Sequence, residues 1–299
     1  MDVLLPIAHL DVNFVLILLY GALVGLLSGL VGVGGGFLIT PLLIFTGVPP
    51  IVAVSSGAAQ MAVTSTLGAY LHWRRGGIDF KMGWILLAGS WAGGGLGVYL
   101  TMLLLRTGHF ERVLVLLYVV LLGFIGVSML IESARAVFRG GPPAAPEASA
   151  AQSRWQIWAA RLPWQTQFPA SGVRLSPIGP LLLGATGGVL TSLMGVGGGF
   201  IMVPMMIYVL KMPTKIVVGT SLFQLLFTAA AVSVMQAAIN HSVDPVLALL
   251  LVLGSVPATV LGARIGAHLP AEKLRLILAL AVVAIAVKMT LSLVAPPGP

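Results

Sequence analysis

Apolar residues run along this chain in ten blocks, each closed by a polar or glycine-rich break: roughly 14–31, 37–45, 51–70, 82–105, 113–131, 178–194, 200–210, 216–239, 245–261 and 274–294. Most approach the ~20 residues a helix needs to cross about 30 Å of hydrocarbon. The second and seventh have only about half that length, which predicts half-helices or re-entrant arms. The pattern is that of an all-α integral membrane protein with five segments in each half.

The halves repeat. Gly32-Val33-Gly34-Gly35-Gly36-Phe37 returns 163 positions later (32 to 195) as Gly195-Val196-Gly197-Gly198-Gly199-Phe200, each followed four residues on by proline, Pro41 and Pro204. With small changes of offset, Gly21 and Gly25 match Gly184 and Gly188, Gln60 matches Gln224, Asp79 matches Asp244, and Gly89 and Gly97 match Gly254 and Gly262. Glutamine and aspartate are rare here, so their ordered recurrence points to duplication rather than compositional bias. An odd number of segments per copy sets the two copies in opposite orientations. The expected organisation is a first membrane repeat over 1–131, a linker over 132–176 and a second membrane repeat over 177–299.

Basic residues test that topology independently, because Lys and Arg accumulate on the cytoplasmic side. With the N-terminus outside, Arg74, Arg75, Lys81, Arg135, Arg139, Arg154, Arg161, Arg174, Lys211, Lys215, Arg264, Lys273 and Arg275 all fall inside, 13 of the 16. Arg106 and Arg112 lie outside, and Lys288 sits near the outer end of the last segment, within snorkelling reach of the headgroups. Both termini are thus expected in the periplasm and the linker in the cytoplasm. The linker is rich in Pro, Ala and Ser, and its Arg154–Leu162 stretch suits a short interfacial helix with Trp155 and Trp158 on one side.

Composition sharpens the class: 58% hydrophobic, 8% charged, mean hydropathy +1.06. A net charge of +8 would ordinarily raise nucleic acid as a partner, but the charges report topology instead. There is no cysteine, hence no disulfide and no thiolate chemistry. The first ten residues hold Asp2 and no basic residue, so the first apolar block is expected to stay as a membrane segment.

Small residues recur every fourth position in four blocks: Gly21, Gly25, Gly29; Gly89, Gly93, Gly97; Gly184, Gly188, Ser192; and Gly254, Ala258, Gly262. Such stripes let helix backbones approach closely in lipid. They predict packed seams, not a solute site.

The glycine strings carry the chemistry. Gly34, Gly35 and Gly36, like Gly197, Gly198 and Gly199, have no side chains to shield their amides, so unwound backbone can aim successive N–H groups inward beside the N-terminus of the following half-helix. Two such breaks facing one mid-membrane point would attract an anion. Polar side chains inside hydrocarbon need a partner or a wet cavity. Ser55, Ser56, Gln60 and Thr64 occupy the third block, and Thr220, Ser221, Gln224 and Thr228 the eighth, with Ser56/Thr220, Gln60/Gln224 and Thr64/Thr228 matched and four apart on one helical face. For a lone hydroxyl, bonding to its own helix is the usual arrangement; the glutamine pair points to the cavity. Asp79 and Asp244 read as helix caps in matching loops. No Asp, Glu or His falls mid-span, so neither a proton relay, a metal site nor an enzyme's catalytic constellation is supported, and no cofactor is implied.

The strings Gly195–Phe200 with Pro204 and Val218-Gly219-Thr220-Ser221-Leu222, with their first-half counterparts, resemble the TauE/SafE sulfite exporter family, also called the toluenesulfonate uptake permeases. The resemblance spans both halves. It implies a bacterial inner-membrane carrier of small sulfur-containing or organic anions such as sulfite or sulfonates. Where such proteins often read Ala-Thr-Ser-Leu in the first repeat, this chain has Val54-Ser55-Ser56-Gly57-Ala58. The expected function is a secondary transporter working by alternating access; an anion channel and a non-transport scaffold are the alternatives. An inside-negative potential favours anion exit by about 2.3 kcal/mol per charge per 100 mV, whereas uptake needs a coupled proton or sodium ion. With no dedicated coupling residue in the chain, export is the favoured direction.

Overall fold

The structure, a computed structural model, describes residues 2–31, 35–139, 164–197, 199–208, 210, 212–266 and 271–294. Gly34, Gly198, the tryptophan-bearing stretch of the linker and Lys211 lie outside these residues. Each of the ten apolar blocks forms a helix: α1 (Phe14–Val31), α2 (Gly36–Phe45), α3 (Pro50–Arg74), α4 (Phe80–Arg106), α5 (Phe110–Arg139), α6 (Ile178–Met194), α7 (Gly199–Tyr208), α8 (Thr214–Ile239), α9 (Pro245–Gly266) and α10 (Ala271–Val294). Among the described residues five helices, α3, α4, α5, α8 and α9, are long and apolar enough to cross a membrane by themselves. The helices α2 and α7 have 10 residues each, about 15 Å at 1.5 Å per residue, half the hydrocarbon depth.

Local chemistry sets the helix starts. Asn13 Oδ1 accepts from the Val15 and Leu16 amides at the head of α1 (3.0 and 3.4 Å). Asp79 Oδ1 accepts from the Met82 amide (3.0 Å), and Asp244 Oδ1 from those of Val246 and Leu247 (both 3.1 Å). Pro50 opens α3 at a position where its missing N–H costs nothing, and Pro213 precedes α8.

The helices pair across the halves. α1 lies along α9 and α4 along α6; α3 lies along α8 and α5 along α10. The glycine stripes are the first two seams. A Cβ added at Gly21, Gly25 or Gly29 would run into the backbone of Leu251, Ser255 or Thr259, and one at Gly254 or Gly262 into that of Leu18 or Leu26. The matching seam sets Gly89 and Gly93 on the backbones of Leu181 and Ala185, and Gly184 and Gly188 on those of Leu86 and Ser90. Hydroxyls cross it too: Ser90 Oγ donates to Gly184 O (3.0 Å) and Ser192 Oγ to Gly94 O (2.9 Å). With lipid outside, this contact and hydrogen bonding supply the cohesion that water exclusion supplies elsewhere.

Polarity is correspondingly inverted. Ser55, Ser56, Gln60, Ser90, Thr191, Thr228 and Gln236 are buried, while Leu19, Val120, Leu249 and Leu291 are exposed. Apolar side chains in contact with lipid cost nothing, whereas each intramembrane polar group must be satisfied internally.

Two β-hairpins were not expected. β1 (Asp2–Leu5) pairs antiparallel with β2 (Leu10–Asn13), and β3 (Thr166–Phe168) with β4 (Val173–Leu175), each leading into α1 or α6. They correspond at the same separation of 163 (5 to 168) as the glycine strings: Leu5-Pro6-Ile7-Ala8-His9 against Phe168-Pro169-Ala170-Ser171-Gly172. Leu5 and Phe168 are both buried. The His9 amide donates to Leu5 O (2.9 Å), and the Gly172 amide to Phe168 O (2.8 Å). Both closing residues adopt positive φ, 50° and 68°. The second hairpin lies within the stretch assigned from sequence to the linker.

Candidate functional site

Both glycine strings interrupt helix. α1 stops at Val31 and α2 begins at Gly36, preceded by Gly35 in the left-handed region (φ 66°). α6 stops at Met194, capped by left-handed Gly195 (φ 66°), and Gly197 (φ 69°) precedes α7. An L side chain would be strained at all three. Pro41 and Pro204 sit inside α2 and α7, where each removes the ladder bond to the carbonyl four residues earlier, on Phe37 or Phe200.

The two breaks meet. The Phe37 and Phe200 rings stack with centroids 4.2 Å apart and planes 15° from parallel. A Cβ at Gly195 would touch Val54 O at 2.7 Å and Thr40 Oγ1 at 3.1 Å. Thus the second half's string packs on α2 and α3 of the first. Tyr118, fully buried on α5, donates to Met194 O (2.6 Å) and so fixes the end of α6 just ahead of the break.

The matched polar residues of α3 and α8 divide into two groups. Those near the helix N-termini hold the framework. Ser56 Oγ accepts from the Asp244 amide (3.0 Å), and Thr220 Oγ1 from the Asp79 amide (2.9 Å). Ser55 Oγ bonds Ile51 O and Ser242 Oγ (both 2.8 Å), and Ser221 Oγ bonds Val218 O (2.9 Å). The two aspartates are the caps their loop positions implied, and more: Asp244 Oδ2 accepts from the Ile7 and Ala8 amides (2.9 and 3.4 Å) in the turn of the first hairpin. Asp79 Oδ2 accepts from Ser171 N (3.1 Å) and Ser171 Oγ (2.8 Å) in the turn of the second. Each buried carboxylate therefore ties a helix start to a hairpin, and its own amide to the candidate-site helix of the other half.

Deeper along the same faces are Gln60 and Gln224. Gln224 Nε2 donates to Ser90 Oγ (2.6 Å) and Thr228 Oγ1 (3.0 Å); the Thr64 hydroxyl donates to the Gln60 and Met61 carbonyls of its own helix (3.3 and 3.2 Å). The carbonyl oxygens Gln60 Oε1 and Gln224 Oε1 and the Ser65 hydroxyl are buried without a hydrogen-bond partner. Unpartnered carbonyl oxygens of this kind are completed by water or by another hydrogen-bond donor. Sequence reasoning missed Tyr118, Ser90, Ser65 and Gln236, whose Nε2 donates to Ser192 O (3.1 Å); only Gln236, as a polar residue in an apolar run, carried a usable signal.

Among the described residues no group of three or more His, Asp or Glu is placed to hold a metal ion. An open groove of about 510 Å³ lined by Ala92, Gly93, Leu96, Ala185, Val189 and others runs outside the α4–α6 seam; its apolar lining suits an acyl chain, not an anion.

A family model described as "Sulfite exporter TauE/SafE" matches residues 17–289, from α1 through both breaks to α10. The chain belongs to the TauE/SafE sulfite exporter family. It is 28% identical to the "Probable membrane transporter protein YjnA" of Bacillus subtilis over 88% of this chain and 94% of that one. It is also 28% identical to a "Probable membrane transporter protein" of Xylella fastidiosa over 89% and 91%, and 27% identical to YunE of B. subtilis over 85% and 88%. No solved structure matches the chain. As a TauE/SafE member it is a multi-pass membrane protein of a transporter family, and the names of its relatives are those of transporters rather than enzymes.

Proposed function

We propose that this TauE/SafE protein moves a small oxyanion, such as sulfite or an organosulfonate, across the bacterial inner membrane by alternating access of two inverted repeats. The observation that carries this reading is the Phe37–Phe200 stack, which brings a glycine break from each half against the other. Left-handed glycines turn main-chain amides away from helical pairing at Gly35 and Gly197. The following half-helices add their positive ends, giving attraction without a fixed cation that would hold the solute too tightly.

Exchanging each helix for its partner in the other half turns α1–α9 packing into α6–α4 packing and returns α3–α8 and α5–α10 to themselves. A two-fold axis relating the halves would produce that pattern, and the paired aspartate–hairpin ties obey it. The inverted arrangement puts the N-terminal hairpin and the 240–244 loop on one membrane face, and the second hairpin with Lys81 on the other, where Lys81 Nζ donates to Gln167 O (2.9 Å). We assign the first face to the periplasm and the second to the cytoplasm, from the distribution of Lys and Arg. Export down the membrane potential needs no coupled ion; uptake would require H+ or Na+.

Gln60 and Gln224 contribute the side-chain part of the site. Their terminal amides turn about a torsion with a broad two-fold profile, so a half-rotation exchanges the unpartnered oxygen for N–H donors. A proteoliposome flux screen of sulfite, sulfonates, thiosulfate and carboxylates tests the proposal: sulfur oxyanions are expected to move. Q60A/Q224A is expected to lose about tenfold or more in flux, the equivalent of one charge-assisted hydrogen bond. Full activity in the double variant would remove the glutamines from the site, and no flux of any anion would refute transport.

A further inference from the structure

We propose that Met61 gates the access of an anion to the two breaks and sets the size of anion admitted, a proposal that rests on the transport reading above. Met61 is completely buried on α3, one residue past Gln60. A Cβ added at Gly36 would run into its Sδ, with Cγ and Cε at 2.7 Å; one added at Gly197 would meet its Sδ at 2.5 Å and its Cε at 2.7 Å. A single thioether therefore lies against the glycine breaks of both halves, beside amides that have no side chain to shield them. In the matching position of the second half stands Leu225, whose Cδ1 would be 2.9 Å from the same Gly197 Cβ. Met61, Leu225 and Ala229 form a small apolar cluster apart from the two larger cores, with Ala62 beside it.

The chemistry of the two residues differs. Methionine is unbranched, with three freely staggered torsions and a polarisable sulfur, so it leaves a site by rotamer change alone. Leucine, branched at Cγ, is stiffer. The Cγ, Sδ and Cε atoms of Met61 fill a volume close to that of a trigonal sulfur oxyanion, and anion and thioether exclude one another there. A buried methionine that merely packs would, on truncation, lower stability and scale every flux alike. A gate changes the ratio between solutes.

The test uses proteoliposomes of the wild-type chain, Met61→Ala and the volume-conserving Met61→Leu, with sulfite, methanesulfonate and benzenesulfonate. The benzenesulfonate-to-sulfite flux ratio is expected to rise in Met61→Ala by about tenfold or more, the low end of what one steric group at a pocket changes; Met61→Leu is expected to keep the wild-type ratio. The chain has no cysteine, so Met61→Cys gives a second readout without background. Its thiol is expected to react with a methanethiosulfonate reagent and to be protected by methanesulfonate, which unlike sulfite does not attack the reagent. An unchanged ratio in a transporting Met61→Ala overturns the proposal, as does a Met61→Cys thiol that is unreactive or unprotected. Should Met61→Ala fail to fold, the Met61→Cys result decides. Should the wild-type chain move no anion, the transport reading falls by itself, and an unlabelled Met61→Cys then overturns the gate as well.

Discussion

Gly93→Leu is expected to yield no monodisperse protein from detergent-solubilised membranes, while Gly123→Leu is expected to purify like the wild-type chain. The contrast follows from what each new side chain meets. At Gly93 even a Cβ overlaps the backbone of Ala185, and atoms of the chain's own scaffold cannot rotate aside. At Gly123 a Cβ has nothing within 4 Å. Overpacking ordinarily costs about 1–3 kcal/mol when side chains yield. Here α4 and α6 must separate, which also breaks the bonds from Ser90 to Gly184 and from Ser192 to Gly94. Against a total stability of about 5–15 kcal/mol the loss is close to complete. Gly25→Leu, facing Ser255 across the corresponding α1–α9 seam, is expected to fail in the same way. Size-exclusion profiles of the three variants decide it; a Gly93→Leu protein that elutes and melts as wild type removes the seam from the account.

Asp244→Ala is expected to have the second largest effect. One carboxylate caps α9 through the Val246 and Leu247 amides and anchors the Ile7 and Ala8 amides of the first hairpin. Losing an N-cap costs about 1 kcal/mol. The Ile7 and Ala8 amides are part-buried, so each left without its acceptor adds about 1 kcal/mol, the low end for an unsatisfied group. The sum is about 3 kcal/mol, and Asp79→Ala is expected to match it through Met82 and Ser171. Asp244→Asn keeps one acceptor oxygen and is expected to fall between. Thermal unfolding reads the loss, and amide hydrogen exchange locates it: protection at Ile7 and Ala8 should collapse in Asp244→Ala. Unchanged protection at those two amides would show the hairpin to be held by something else.

The helices were legible because lipid imposes a simple rule on the text. Every block read as apolar became a helix, and α6, at 178–194, has the ends its block had. So does α1, whereas several others run on by a few residues, as in α3, which continues from Tyr70 to Arg74, because interfacial His and Arg sustain a helix that hydropathy no longer marks. The stripes foretold seams but not which helices share them, since small residues every fourth position describe one surface and not its partner. The hairpins were hidden for the opposite reason: strands of three or four residues carry too few positions for a period of two to emerge. Their correspondence rests on Leu5-Pro6 against Phe168-Pro169, short enough to be lost without the fold.

At the site, the recurring glycine string located both backbone breaks, and the spacing of Ser56, Gln60 and Thr64 placed them on one face. What the spacing could not convey is that Ser56 and Thr220 each receive a loop amide from the other half, or that Met61 reaches into both breaks. Those contacts arise from the crossing of α3 with α8. Residue pairs so distant along the chain leave no periodicity to read.

The most direct measurement is an anomalous difference map from crystals grown with selenite, whose selenium stands in for the sulfur of sulfite. A selenium peak between the Gly35–Gly36 and Gly197–Gly199 main chains, with the Met61 thioether displaced, is the predicted result. A chain that transports selenite but binds its selenium away from both glycine strings would contradict the claim that paired backbone breaks form the anion site.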